Sequence, residues 1–197
     1  GIRVLLDGVF NHTGRKSVYF NADGFYPTLG AAQGPASPYY RWYNFHPFPD
    51  EYDAWWGIKN LPAVNELEKS YVDYIIEGNN SIIKRWLRAG ASGWRLDVAD
   101  ELPDEFIAKI RAAMNEENPD TYLLGTTKIA YSQRRKYLLG RETNGLMNYP
   151  FRTALMAYLL GGGAEYFRDS MEELRENYPA PAFYGAMNFL STHDTPR

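Results

Sequence analysis

The chain has 197 residues, 45% of them hydrophobic, a formal net charge of −3 and no cysteine. That is the composition of a globular protein rather than a disordered tail or a membrane span, and the small, mixed charge leaves no electrostatic footprint for nucleic acid or an anionic membrane. Without cysteine, disulfides, thiolate metal sites and thiol nucleophiles are excluded, and a neutral or weakly charged ligand is the expectation.

The chain opens in "IRVLLDG", a short apolar run of the kind found in a strand buried on both faces, ending at Asp7 and Gly8. It starts within this strand without an initiator methionine and stops at Arg197 after a polar cluster, so both ends read as cuts. Similar runs recur in "SGWRLDVAD", in "TYLLG", in the very short "GLMN" and in "AMNFLSTHD". Between them lie helical patterns: Tyr71 to Leu87 with a break at Gly78-Asn79-Asn80, a helix opening after Pro103 and stopping before Pro119, then Tyr149 to Leu160 and Ala164 to Asn177. Strands alternating with helices predict parallel βαβ units, with the polar residues at the C-terminal ends of the strands. A (β/α)8 barrel takes about 250 residues, so about five strands read as the middle of one, about strands 3 to 7.

One segment breaks the alternation. Residues 13–66 show little periodicity, many prolines and thirteen aromatic residues. So long a loop is better read as an inserted subdomain after the first strand, leaving 1–12 and 67–197 to the partial barrel. Most of these aromatics are expected to form the insertion's own core, with Trp56 and Tyr43 facing a ligand.

The chemistry concentrates at three strand ends. "DGVFNH" carries Asp7, Asn11 and His12; "GWRLDVADE" carries Arg95 and Asp97, two apart and so on one face of a strand; "STHD" carries His193 and Asp194. Gathered on one rim, three aspartates and two histidines make an acid/base or nucleophilic site. An arginine beside Asp97 favours its charged form, which a carboxylate nucleophile needs. Singly, each aspartate is more readily a turn or cap residue and each histidine a rim residue; the joint pattern moves the reading towards catalysis.

That pattern resembles the α-amylase family of glycoside hydrolases, in its neopullulanase, cyclomaltodextrinase and maltogenic-amylase branch. "DGVFNH", "LPAVN", "GWRLDVADE" and "FLSTHD" are similar to four of its signatures in the right order, and the likeness extends to "MNYPF". The resemblance implies a partial (β/α)8 TIM barrel with an irregular inserted B subdomain. It implies retaining hydrolysis of α-1,4 bonds, with α-1,6 bonds as a further target, in starch-derived oligosaccharides, cyclodextrins or pullulan. Asp97 would be the nucleophile, and Asp194 would stabilise the transition state and bind sugar hydroxyls. His12, Arg95, His193 and Glu101 would be substrate-binding, while Asp7 would hold Arg95 and Asn11 would be structural near the site. Glu101 matches the acidic residue of this branch four positions past the nucleophile. The partner implied is an α-glucan oligosaccharide, with no nucleic acid or membrane, and with self-association into a homo-oligomer as a further expectation in a cytoplasmic setting. No cofactor or metal is expected; calcium near Asn11 is the alternative, without a convincing set of oxygen ligands.

The retaining reaction needs a second carboxyl group about 5 to 5.5 Å from the nucleophile. The family's acid is a glutamate directly after the glycine that ends the next strand, and here "LLGTTK" puts Thr126 in its place. An alcohol is far too weak an acid to protonate a leaving sugar. The basic, helix-like "TKIAYSQRRKYLLG" beyond it arrives about half a dozen residues early against the family pattern. Three accounts compete: an acid-bearing loop that belongs between Gly125 and Thr126, which the intact flanks favour; a deletion that leaves a glucan-binding relative without hydrolysis; and an error in the gene. A transglycosylase is an alternative within the same chemistry, and the 197-residue piece by itself is expected to be inactive or to be completed by another chain.

Overall fold

A computed structural model describes residues 1–127 and 135–195. A parallel sheet is formed by β1 (Leu5–Gly8), β2 (Gly93–Leu96), β3 (Tyr122–Gly125) and β4 (Gly145–Leu146), in that spatial order. Sequential, parallel neighbours are the arrangement that βαβ connections produce. The register sets Asp7 beside Arg95 and Leu96 beside Gly125, which brings the strand ends to one level. Gly93 is required where β2 meets β3, since a Cβ there would collide with the Tyr122 carbonyl oxygen.

Between β1 and β2 run α1 (Lys69–Val72), a wide turn at Asp73–Glu77 and α2 (Ile82–Arg88). The expected break falls at Gly78, whose N–H reaches back five residues to Asp73 O, and Ser81 restarts the helix by capping Lys84 N. Helix α3 (Asp104–Glu117) opens after Pro103 with two acidic residues in its first turn, which suits the positive end of its dipole. Its Phe106, Ile107, Ile110 and Met114 follow one face of a 3.6-residue period and are fully buried against the sheet's Leu96 and Leu123 in one core. After β4 come α4 (Tyr149–Leu159), started by the Asn148 side chain on Phe151 N, then α5 (Ala164–Asn177) and α6 (Ala180–Gly185), the last not anticipated from the sequence.

Two expectations about strands are corrected. "AMNFLSTHD" does not become a fifth strand: Met187 forms a single parallel bridge to Met147, and the chain then leaves the ladder. Among the described residues no strand lies beyond it to pair with, and a ladder held on one side gives residues 188–194 little to propagate along. "IRVLLDG" is not buried on both faces. Its strand has β2 on one side and no partner among the described residues on the other, so Ile2, Val4, Leu5 and Val9 are exposed. The basic segment after Thr127 falls mostly in residues 128–134, outside the described residues; a short turn of helix at Arg135–Leu138 comes next.

Residues 13–66 contain three short helical turns and isolated bridges instead of regular layers. They are organised around aromatic packing: Phe20 is nearly inaccessible and meets Tyr43 edge-on at 4.9 Å and Tyr52 at 4.7 Å. Trp42 carries the contact on to the barrel helices, stacking edgewise on Tyr71 at 4.9 Å and donating its indole N–H to Ser70 Oγ. Main-chain bonds from Thr13 N to Pro62 O and from Val64 N to Asn11 O tie "LPAVN" alongside "DGVFNH". Among the described residues no helix is long and apolar enough to cross a membrane.

Candidate active site

The site begins with a strand-end ion pair. Asp7 and Arg95 are register partners on neighbouring strands, and Arg95 and Asp97 point the same way two residues apart. Arg95 Nη1 therefore lies 2.7 Å from Asp7 Oδ1 and 2.9 Å from Asp97 Oδ1. Burial alone would lower the guanidinium's pKa, but the hydrogen bond and charge of Asp7, with the charge of Asp97, raise it. The arginine is thus a fixed positive charge against Asp97.

The chain turns sharply after Asp97. Val98 is held in the left-handed region at φ 45° and ψ 52°, a conformation that costs a β-branched residue of order 1–3 kcal/mol and is typical of functional sites. The turn folds residues 99–101 over the end of β3, where Ala99 N donates to Thr126 O at 2.7 Å. Thr126 follows Gly125 in the sequence, and its N–H bonds to Leu96 O at 2.9 Å, continuing the parallel ladder. Thr126 turns its hydroxyl to Met147 Sδ at 3.1 Å, and it offers the site no carboxyl group.

A cleft of about 200 Å³ opens at these strand ends. Its lining comes from Trp55 and Trp56 of the insertion, from Asp97, Val98, Asp100 and Glu101 past β2, from Thr126 and Thr127 past β3, and from His193 and Asp194. The sequence-expected Asp97, Glu101, His193 and Asp194 are thus brought together. His12 and Arg95 stand behind the lining, against Trp55 and Asp97 respectively, and Asp7 and Asn11 also lie outside it. Asp194 accepts from the Tyr149 hydroxyl at 3.2 Å and faces His193 Nε2 at 3.5 Å. Burial, then the Asp194 charge, raises the Tyr149 pKa, so the phenol stays a donor.

Glu101 is placed differently from a simple ligand residue. Its Oε2 accepts from Trp55 Nε1 at 2.7 Å and its Oε1 from Trp56 Nε1 at 2.9 Å, which fastens residues 55 and 56 to the turn that follows β2. The two indoles stack at 4.4 Å, and the His12 ring stacks on Trp55 at 5.0 Å. Burial pushes the His12 imidazole below its ordinary pKa, with Asp97 and Glu101 pulling part of the way back, so at neutral pH it packs as an uncharged ring. Trp56 sits at φ 51° and is 67% exposed. Tyr43 does not face a ligand: it is 4% exposed, and its hydroxyl meets Thr13 Oγ1 at 2.8 Å. Trp55 and Tyr149 join the site without having been singled out by sequence, although the doubled tryptophan and "MNYPF" were visible signals.

Both amide atoms of Asn11 are buried without a partner. Among the described residues, however, no three His, Cys, Asp or Glu side chains converge to hold a metal.

Comparison with known proteins gives the same grouping. Residues 1–197 match the Alpha amylase, catalytic domain family. An amylopullulanase of Thermoanaerobacterium saccharolyticum, a type not among those the motifs suggested, is 36% identical over 225 aligned positions, covering 99% of this chain and 17% of the relative. A cyclomaltodextrinase of Geobacillus thermopakistaniensis (strain MAS1) is 31% identical over 206 positions, covering all of this chain and 33% of the relative. Both alignments are longer than the chain, so these relatives carry residues that it lacks. Among solved structures, the cyclic α-maltosyl-(1→6)-maltose hydrolase of Arthrobacter globiformis in complex with maltose superposes with a TM-score of 0.86 at 26% identity, covering 100% of this chain and 44% of that one. Ttha1563 of Thermus thermophilus does so at 0.84 and 32% identity, over 100% and 44%. The chain thus spans less than half of each of these proteins, and it belongs to the alpha-amylase family as a part of the catalytic domain.

Proposed function

We propose that the protein containing this chain is a retaining glycoside hydrolase that cleaves α-1,4 and α-1,6 glucosidic bonds in starch-derived oligosaccharides, cyclodextrins or pullulan. The observation that carries the reading is Asp97, fixed by Arg95 at the floor of an aromatic-walled cleft that also holds Asp194. In this reading the Asp97 carboxylate attacks the anomeric carbon to give a β-glycosyl ester. Asp194, oriented by Tyr149, binds sugar hydroxyls and steadies the oxocarbenium-like charge, and His193 lines the same subsite. Glu101 acts by holding Trp55 and Trp56 as a platform for the apolar face of a sugar ring. The names of an amylopullulanase and a cyclomaltodextrinase among the relatives support this substrate class. That of the Bacillus subtilis intracellular maltogenic amylase, 30% identical, supports a cytoplasmic setting.

The test is hydrolysis of maltotriose, a cyclodextrin and pullulan by the full-length protein, with product anomers followed by NMR. Release of the α-anomer is expected, and Asp97→Asn should lower kcat by at least about 10⁴-fold, on the scale of losing a covalent nucleophile. A second reading, a glucan-binding relative without hydrolysis, is favoured by one observation: Thr126 stands where the acid is expected. Binding of maltotriose with no turnover would select it, and transfer to sugar acceptors in place of water would select a transglycosylase. The 197-residue chain by itself is proposed to be inactive.

A further inference from the structure

The two tryptophans of the cleft lining do not offer a ligand the same surface. Trp55 is the middle of three layers. The His12 ring stacks on it with centroids 5.0 Å and planes 25° apart, and the Trp56 indole stacks on it at 4.4 Å and 14°. Among the described residues the His12 and Trp56 rings make no contact with each other, so they cover opposite faces of Trp55 and leave it only an edge.

Trp56 is the outer layer. One face rests on Trp55; against the other no ring or cation is placed among the described residues, and the side chain is largely exposed. This open face is nevertheless fixed. Its Nε1 donates to Glu101 Oε1 at 2.9 Å, and its backbone is held at φ 51° and ψ 28°, a left-handed conformation that a bulky residue adopts at a cost and that clusters at ligand sites. A fixed indole face bordering a cleft suits the apolar C–H face of a sugar.

The column also sets how far out that face stands. Its inner ring, His12, is within reach of the Asp97 charge, and two ring spacings then separate His12 from Trp56. A glucose unit is about as long as one such spacing. We propose that the open face of Trp56 is an outer subsite for a glucose unit one or more positions along the chain from the unit that Asp97 attacks, with Trp55 as the spacer that positions it. This inference rests on the hydrolase reading above, and it makes Trp56 the residue that selects oligosaccharides over single glucosides. Because the stacking is the same in the bound substrate and in the transition state, it acts on KM and not on kcat.

The experiment uses the full-length protein with maltotriose, which can reach both places, and α-glucosyl fluoride, a single unit that cannot. Trp56→Ala is expected to lower the ratio of kcat/KM on maltotriose to kcat/KM on the fluoride about fivefold, the typical size of one ring contact, with the change carried by the maltotriose KM. Trp56→Phe, which keeps a ring, is expected to recover part of the ratio, and a fold defect cancels from the ratio because it lowers both activities. An unchanged ratio in Trp56→Ala, or a fall carried by kcat, overturns the subsite. Native protein that turns over neither substrate overturns the hydrolase reading alone. The subsite is then decided by titration calorimetry, in which Trp56→Ala is expected to weaken maltotriose binding about fivefold more than that of methyl α-glucoside, and an equal loss on both overturns it.

Discussion

At the scale of single residues, the cleft is built from contacts that link distant parts of the chain through few atoms. Glu101 holds two indoles at once, and its loss frees both. A sugar ring stacked on Trp56 gains about 1 kcal/mol, worth about fivefold in affinity. Trp56→Ala is therefore expected to weaken maltotriose binding about fivefold by titration calorimetry, and Glu101→Ala by a similar factor although it touches the ring only through the tryptophans. Unchanged affinity in both variants would remove the platform from the picture. The Asp7, Arg95 and Asp97 constellation was legible in the sequence because strands alternate faces and parallel neighbours align, so residues two apart and in register must meet. Trp55 and Tyr149 were not legible in the same way. Their partners lie 46 and 45 residues off, and no local periodicity encodes a contact of that span.

At the scale of elements, the helices over 104–117, 149–159 and 164–177 follow apolar spacing closely and were readable to within a residue. The run at 186–194 was not, because a strand needs neighbours that its own sequence does not contain. The segment leading into β4 holds a testable electrostatic cost. Burial, then the charge of Asp104, raises the Glu142 pKa to about 7 against a partial pull from Lys136, and its Oε2 has no hydrogen-bond partner. With the folded value above the unfolded value of 4.5, the folded chain holds more protons between about 4.5 and 7. Glu142 therefore stabilises the fold at low pH, and that contribution is lost as pH rises through 7. Glu142→Gln should be more stable than the native chain at pH 8, by roughly 1 kcal/mol once partial exposure is discounted, and nearly equal to it at pH 4. Urea denaturation at the two pH values measures this, and equal differences at both would contradict it.

At the scale of the whole molecule, the sheet has one flank with nothing beside it among the described residues. Ile2, Val4, Leu5 and Val9 stand open along β1, and unpaired strand edges of this kind recruit other chains. The 197-residue chain is expected to self-associate with rising concentration in sedimentation velocity, and Val4→Lys with Val9→Lys should shift it towards smaller species; a native chain that stays monomeric would refute this. The end of β3 carries a different implication. The bonds that fix residue 126, one to Leu96 and one from Ala99, are made by main-chain atoms and take no account of the side chain there. The side chain at residue 126 can therefore be exchanged while both of these bonds, and with them the level at which β2 and β3 end, stay as they are.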